Sequence, residues 1–274
     1  MGDFISNVGT NIYFQLQMNR NGKLWAVRVV SDWSIIVLLQ LTFTLSMRIH
    51  PKLSGFLCND YSIRYPYHED SVSAKILLIY AYLLPTLLIA VLEFLTALYR
   101  SYVMKTKDAW KTMAVWVYNL VTIYLISLGL TSTLTSVFKI AVGRPRPHFL
   151  DVCQPNITLV NCTGFINEYS CQGTRTKALH DMNLSFVSGH SSITAVTVTY
   201  VVLYLQKRLK LACAPMLRPV LQTAIVCFGL YVAISRFTDN KHHVTDIIGG
   251  VILGAGTALT LFVRYVPNMD EVVS

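Results

Sequence analysis

The longest uncharged stretch of this sequence, residues 112–138, exceeds the roughly 20 apolar residues that a helix needs to cross a bilayer. Five other apolar segments have comparable length, at 29–48, 74–98, 188–206, 217–236 and 245–265. Only 14% of the residues are charged, whereas about a quarter are charged in an average soluble domain. The sequence therefore predicts an all-α integral membrane protein, a six-transmembrane-helix bundle.

The predicted organisation has a cytoplasmic N-terminal segment, residues 1–28, a membrane domain, residues 29–265, and a short cytoplasmic tail, residues 266–274. The polar, mixed residues before the first apolar run indicate that this run is a spanning helix and not a cleavable signal. We assign the net charge of +9 to membrane orientation and to an anionic substrate, so nucleic acid is not expected as a partner.

Basic residues concentrate in two short connecting loops. The 99–111 loop carries four cations against one Asp, and the 207–218 loop carries four cations and no acid. The positive-inside rule places both loops and both termini in the cytoplasm. The loops 49–73, 139–187 and 237–244 then face the extracellular or lumenal side, in the plasma membrane or in the endoplasmic reticulum and Golgi.

Glycosylation motifs at Asn156 and Asn161 fall in the long outer loop, which agrees with this orientation. Four cysteines also lie outside, where disulfides are permitted: Cys58, Cys153, Cys162 and Cys171. Four cysteines allow three pairings, and their spacing does not select one. Cys213 and Cys227 are expected to be free thiols.

Polar residues cluster at the outer ends of the last four predicted helices. They are Lys139 and Arg146 after the third, Ser188, Gly189 and His190 at the start of the fourth, Arg236 at the end of the fifth, and His242 and Asp246 at the start of the sixth. Because other residues set the orientation, this convergence on one membrane face indicates a functional site. Three cations with few local acids would be costly there unless a phosphate dianion neutralised them.

The types of residue in this cluster suit phosphoryl transfer. His242 and Asp246 are four residues apart, which places their side chains on one helical face. Asp246 would accept a hydrogen bond from His242 and leave the other ring nitrogen free to attack phosphorus. His190 would protonate the leaving alkoxide and later activate water. Backbone N–H groups at Ser188 and Gly189 would contact phosphate oxygens, so neither a metal nor a cofactor is expected.

Other polar residues near these helices are interpreted as structural. A step of 100° along a helix would turn His243 away from Asp246. For His148, headgroup positioning and a structural role are equally compatible with the sequence. Acids near the cytoplasmic ends of spans are expected to snorkel toward the interface or to pair with a nearby arginine, Arg28 for Asp32 and Arg100 for Glu93.

Together these residues resemble the three-part signature of the type 2 phosphatidic acid phosphatase superfamily. Its parts are Lys-x6-Arg-Pro, Pro-Ser-Gly-His and Ser-Arg-x5-His-x3-Asp. The first matches at 139–147 and the third at 235–246. In the second, Val187 stands in place of Pro, as in the animal lipid phosphate phosphatases. The stretches 58–70 and 146–153 also resemble that branch.

The resemblance implies a division of roles among the motif residues. It makes His242 the nucleophile, Asp246 its orienting partner, His190 the acid and base, and Lys139, Arg146, Ser188, Gly189 and Arg236 the phosphate ligands. It implies Mg²⁺-independent hydrolysis of phosphatidate, lysophosphatidate, sphingosine 1-phosphate or ceramide 1-phosphate through a phosphohistidine at the outer membrane face. No motif residue is lost, so an active enzyme is expected; whether it forms a homo-oligomer is left open.

Three other functions are compatible with parts of this pattern. A transporter for an anionic solute would carry polar residues through the bundle, whereas the third and fifth segments are almost purely apolar beyond their motif ends. A non-catalytic lipid-binding relative would tolerate loss of His190 or His242, and both are present. A soluble acid phosphatase or vanadium haloperoxidase would share the motif, but the six apolar segments argue against it.

Overall fold

The computed structural model describes residues 22–49, 54–156, 164–210 and 212–267. This part of the chain contains eight α-helices: α1 (Gly22–Ser46), α2 (Ala74–Tyr102), α3 (Ala109–Val142), α4 (Phe149–Cys153), α5 (Thr176–Asp181), α6 (Gly189–Arg208), α7 (Leu217–Thr238) and α8 (Val244–Tyr265). A mostly helical fold is thus confirmed. Two short strands, β1 (Phe56–Leu57) and β2 (Phe165–Ile166), pair antiparallel between distant connections, which no local pattern predicted.

Five of the described helices, α1, α2, α3, α7 and α8, are long and apolar enough to cross a membrane, as in a multi-pass membrane protein. The count of six is not confirmed. Helix α6 covers the predicted 188–206 segment but is more polar, and its buried residues include Ser191, Ser192, Thr194 and Thr197. Because α6 is enclosed by other helices and not by lipid, its side chains need not be apolar.

Helix α6 lies at the centre of the bundle and packs most extensively against α8. Gly250 and Gly254 of α8 permit this approach. A Cβ at Gly250 would lie 2.6 Å from the carbonyl oxygen of Ser188, and one at Gly254 would collide with the carbonyl oxygen of Ser192. Small residues at four-residue spacing let helix backbones come close in a membrane. The packing brings the start of α6 beside the start of α8.

Polar contacts join the helices at the end of the bundle opposite the motifs. Lys207 at the end of α6 donates to the carbonyl oxygen of Val266, 2.8 Å away. Arg28 lies 3.5 Å from Asp32, which confirms that predicted pair. Glu93 is fully buried and forms its ion pair with Arg208 of α6, while Arg100 lies nearby and adds a weaker electrostatic interaction. The partner comes from a helix packed against α2 and not from the next turns of the same helix.

The buried face of α3 is not purely apolar, contrary to the expectation from its sequence. Its buried residues include Ser127, Thr131 and Ser132. Each of these hydroxyls donates to the carbonyl oxygen four residues earlier, at 2.7 to 2.8 Å. Hydroxyls satisfied by their own helix act as small packing groups and do not form a polar path through the bundle.

Helix boundaries differ from the apolar segments at two informative places. Helix α1 begins at Gly22 instead of near residue 29, and it includes Arg28, which contacts Asp32 and Asn119 of α3. Helix α3 continues through Lys139 to Val142 and ends at Gly143, whose φ of 59° is a left-handed conformation suited to glycine. This turn sends the following Arg-Pro-Arg-Pro segment back across the bundle end.

The connections at the end of the bundle that carries the motifs, here called the motif end, have a small core of their own. It buries Phe56, Ile63, Phe149, Val152, Cys153, Ile166 and Met182. Cys153 and Cys171 form a disulfide within it, and Cys58 is also disulfide-bonded. Asn161 and Cys162 lie outside the described residues. Cys213 and Cys227 are free and exposed.

Candidate active site

Both motif arginines have carboxylate partners. Arg146 Nη2 lies 2.6 Å from Asp181 Oδ2. Arg236 is 1% exposed, and its two terminal nitrogens lie 2.8 Å from Asp70 and 2.8 Å from Asp239. The expectation that too few acids surround the cations is therefore wrong. The acids come from α5, from the α1–α2 connection and from the turn after α7, so most of them are distant in sequence.

Lys139 and Gly189 lie side by side, although 50 positions separate them in sequence. Lys139 occupies the last turn of α3, and its ammonium donates to the carbonyl oxygen of Leu184. A Cβ added at Gly189 would lie 3.8 Å from Lys139 Cε. The first motif is therefore in contact with the second.

Ser188 caps α6 and links the second motif to the third. Its hydroxyl accepts from the backbone N–H of Ser191 at 3.4 Å, and its own N–H donates to the carbonyl oxygen of Asp246 at 3.0 Å. The first backbone N–H groups of an α-helix have no partner within the helix, and the helix dipole favours an anion there. This terminus can therefore supply donors to a phosphate beside Lys139.

His190 lies on the first turn of α6, with its side chain held from the α1–α2 connection. Its Nε2 is 3.0 Å from the carbonyl oxygen of Val72. A carbonyl only accepts, so Nε2 carries the proton and Nδ1 is the nitrogen available for proton transfer. Charged groups that interact electrostatically with the ring include Arg236, Asp70 and Arg146.

His242 lies in the turn between α7 and α8, and its side chain is 3% exposed. Burial lowers its pKa well below the usual 6.5, and the positive charges of Arg146 and Lys139 act in the same direction. The ring is therefore neutral at physiological pH, as a nucleophilic imidazole must be. Its backbone N–H donates to the carbonyl oxygen of Arg236 at 3.2 Å, which ties the turn to the end of α7.

The predicted hydrogen bond between His242 and Asp246 is not formed. Nδ1 of His242 is 3.9 Å from Asp246 Oδ2 and has no hydrogen-bond partner within the described part of the chain. The two groups are nevertheless adjacent, and catalytic hydrogen bonds are often long until substrate binds.

Asp246 is held by other residues, among them His243. The His243 backbone N–H and Nδ1 lie 2.9 and 3.2 Å from Asp246 Oδ2. Arg144 and Ser185 each donate to the carboxylate at 2.6 Å. The prediction that His243 turns away from Asp246 is wrong, because His243 is the N-cap of α8, with φ −74° and ψ 158°, and not a helical residue. The helical step of 100° does not apply to a cap.

His148 has a structural environment. Its ring is buried, its Nδ1 donates to the carbonyl oxygen of Asn240 at 2.8 Å, and it packs edge-on against Tyr67 at 5.1 Å between centroids. Burial lowers its pKa to about 4, and the charge of Arg146 adds to that shift. Of the two roles left open, the structural one fits these contacts.

Sequence reasoning missed several side chains that touch the motif residues, among them Asp70, Asp181, Asp239, Ser185 and Arg144. Arg144 lies in the Arg-Pro-Arg-Pro segment, and Ser185 three residues before Ser188, so nearness to the motifs was their only signal. Asp70 and Asp181 have no motif spacing. They reach the site only because the outer connections fold over the helix ends.

Comparison with known proteins identifies the family. A family model described as the PAP2 superfamily matches residues 120–270. Phospholipid phosphatase 1 of Rattus norvegicus is 36% identical over 243 residues, which cover 88% of this chain and 85% of that protein. Phospholipid phosphatase 2 of Mus musculus is 33% identical over 248 residues, with 88% and 87% covered. Phospholipid phosphatase 2 of Bos taurus is 34% identical over 223 residues, with 80% and 75% covered.

No solved structure matches significantly. The family match spans more than half of the 274 residues and includes all three motifs. The identity to the rat and mouse phosphatases extends over most of both chains. The chain belongs to the PAP2 superfamily.

Proposed function

We propose that this protein is a lipid phosphate phosphohydrolase that works without Mg²⁺ and forms a phosphohistidine at His242. One observation carries the proposal. Lys139, Ser188, Arg236 and His242 come from four separate helix ends, and direct contacts join these ends into one cluster. The relatives named phospholipid phosphatases support a lipid phosphate as the substrate.

Phosphate binding is assigned to Lys139, Arg146, Arg236 and the start of α6. Guanidinium groups bind phosphate oxygens in a bidentate manner, and the N–H of Gly189 and the hydroxyl of Ser188 complete the set of donors. These donors would stabilise the charge that spreads over the equatorial oxygens in the transition state. The cationic side chains thus supply the electrostatic stabilisation that a metal ion supplies in other phosphatases.

The reaction proceeds in two steps. His190, protonated at Nδ1 as well as at Nε2 once the phosphate dianion is bound, gives the Nδ1 proton to the leaving alkoxide. In the same step Nε2 of His242 forms a bond to phosphorus and the P–O bond to the lipid breaks. Nδ1 of His190 then takes a proton from water, whose oxygen attacks phosphorus and breaks the P–N bond. Phosphate leaves, and His242 is regenerated. Asp246 stabilises the positive ring of the intermediate.

The substrates are phosphatidate, lysophosphatidate, sphingosine 1-phosphate and ceramide 1-phosphate, reached from the extracellular or lumenal leaflet. This assignment takes α6 as a sixth span, enclosed by the others, with both termini in the cytoplasm. The order of the helices along the chain supports membrane crossings in alternating directions. Lys207 contacts Val266, and Arg208 contacts Glu93. These contacts join α6 to the end of α8 and to α2 at the end of the bundle opposite the motif end.

The activity is tested by phosphate release from phosphatidate, with purified full-length protein in detergent and EDTA. We expect robust release, and its loss in His242→Ala but not in His68→Ala, which removes an exposed imidazole outside the cluster. Labelled phosphate should be recovered on the unmodified protein as an acid-labile, base-stable adduct after a rapid alkaline quench, and not on His242→Ala. Release that required added Mg²⁺, or persisted in His242→Ala, would overturn the mechanism.

The orientation is tested separately. If the motif end is lumenal, treatment with an N-glycosidase should shift the mass of the protein from cells, and the double variant Asn156→Gln, Asn161→Gln should lack the shift. A membrane-impermeant thiol reagent should label Glu168→Cys in intact cells or sealed lumen-out vesicles, and Thr106→Cys only after permeabilisation. The reverse labelling pattern would contradict the proposed topology.

A further inference from the structure

A groove lined by small and apolar residues runs along α6 between α7 and α8. Its volume is about 160 Å³. Its lining consists of Ser191, Thr194, Ala195, Val198 and Thr199 of α6, Val226, Gly229, Leu230 and Ala233 of α7, and Val251 and Ala255 of α8.

The helix packing explains why this space is open toward the lipid. Helices α7 and α8 each pack against α6 but make few contacts with each other. Val226, Leu230 and Val251 form the rim and are exposed. At Gly229 a Cβ would lie 2.8 Å from Val198 Cγ2, so this position holds α7 close to α6 only because it has no side chain. The groove therefore opens sideways between α7 and α8.

One end of the groove lies next to the proposed catalytic residues. Ser191 directly follows His190, and its hydroxyl lies 3.0 Å from that of the phosphate ligand Ser188. On α7 the lining starts at Ala233, three residues before Arg236. From Ser191 to Thr199 the helix advances about 12 Å at 1.5 Å per residue, close to the depth of one leaflet of a hydrocarbon core about 30 Å thick.

Thr194 contributes an unusual polar atom to this apolar lining. Its side chain is buried, and Oγ1 makes no hydrogen bond within the described part of the chain. By contrast, Thr197 on the same helix donates to the carbonyl oxygen four residues earlier at 2.8 Å. Buried hydroxyls without partners are uncommon and costly. Thr194 lies one helical turn below His190, so its hydroxyl is placed at the depth just inside a bound headgroup.

We propose that this groove holds a hydrocarbon chain of the lipid phosphate, and that Thr194 donates to the polar linkage between that chain and the phosphate. The inference rests on the proposed function, because it is the phosphate of the same lipid that lies at His190 and His242. An alkyl chain suits the apolar walls, the lateral opening and the length of the groove. An acyl ester carbonyl or a sphingoid polar group suits the unpaired hydroxyl.

The test compares two substrates, dioleoyl phosphatidate in mixed micelles and the short-chain dibutyryl phosphatidate. Ala195→Leu and Ala255→Leu fill the groove from α6 and from α8. We expect kcat/KM for the long-chain lipid to fall about tenfold, the effect of withdrawing roughly two methylene groups from apolar surroundings. The short-chain lipid should change less than twofold. Ala224→Leu, at an exposed position of α7 outside the groove, is the matched control and should change neither.

Thr194→Val removes the hydroxyl and keeps the shape of the side chain. We expect kcat/KM to fall about threefold to tenfold for both lipids, as for one lost hydrogen bond, and Thr194→Ser to restore it. An equal loss for both lipids in the leucine variants, or no loss, would overturn the groove assignment. An unchanged Thr194→Val would overturn the polar contact. If the unmodified protein hydrolyses neither lipid, the proposed function itself fails.

Discussion

Arg146, a motif arginine assigned to phosphate, lies 2.6 Å from Asp181 at the end of α5. The Asp181 side chain is 45% exposed, so an incoming anion has access to the pair. Burial acts to raise the pKa of this carboxyl, but the positive charges of Arg146 and Lys139 hold it below its usual 3.8. Asp181 is thus ionised at neutral pH and competes with an anion for the guanidinium.

Asp181→Asn should therefore strengthen the binding of phosphate analogues. We expect the inhibition constant of orthovanadate to fall about twofold to fivefold, the range for a partly exposed ion pair. The inhibition constant is measured from the inhibition of phosphatidate hydrolysis by orthovanadate. Asp108→Asn, which removes an exposed carboxylate paired with Lys111, is the matched control. A higher inhibition constant in Asp181→Asn would mean that Asp181 positions Arg146 and does not compete for it.

Replacing His242 should reduce phosphate release far more than replacing the neighbouring His243. His242→Asn removes the proposed nucleophile, and we expect phosphate release to fall at least about a thousandfold. His243→Asn should lose no more than about tenfold, because asparagine is a favourable N-cap and Arg144 and Ser185 still hold Asp246. The rate of phosphatidate hydrolysis in the presence of EDTA is measured for both variants. Equal losses would show that His243 is needed for the chemistry.

His148 should make the stability of the protein depend on pH. Its folded-state pKa is about 4, against 6.5 for an ordinary histidine. Between these values the unfolded chain binds more protons, so the free energy of unfolding falls as the pH falls from 6.5 toward 4. His148→Gln does not titrate, and its amide can still donate to Asn240. We expect its Tm in detergent to fall less between pH 7 and pH 4.5 than that of the unmodified protein.

In His148→Gln the dependence of Tm on pH should be reduced and not abolished, because His242 also has a lowered pKa and remains in the variant. His68→Gln replaces an exposed histidine and should keep the full slope. An unchanged slope in His148→Gln would show that the ring does not titrate in this range.

The buried pair of Glu93 and Arg208 should behave as a unit. Glu93→Gln leaves the guanidinium buried without its counter-charge, so we expect a loss of about 3 kcal/mol in the free energy of unfolding. The double variant Glu93→Gln, Arg208→Met should recover most of that loss. Thermal unfolding in detergent measures both. Asp108→Asn, at an exposed pair, should cost less than about 1 kcal/mol. Additive losses in the double variant would contradict the pairing.

Local sequence signals predicted the long helices. Hydropathy located five spans, since a helix exposed to lipid must be apolar along its own sequence. A sixth span was predicted at 188–206, but α6, the helix there, is more polar than the other five, because neighbouring helices cover its Ser and Thr residues. Motif spacing selected Lys139, Ser188 and His242, which the fold brings to one end.

What the sequence determined by itself is the set of apolar segments, the family and the identity of the motif residues, all of which are written in short stretches of chain. The tertiary structure decided the partners. It paired Arg146 with Asp181, Glu93 with Arg208 and Asp246 with His243, and it opened the groove between α7 and α8. The physical reason is that ion pairs and cavities depend on which distant segments pack together, and hydropathy and spacing report only on neighbours along the chain.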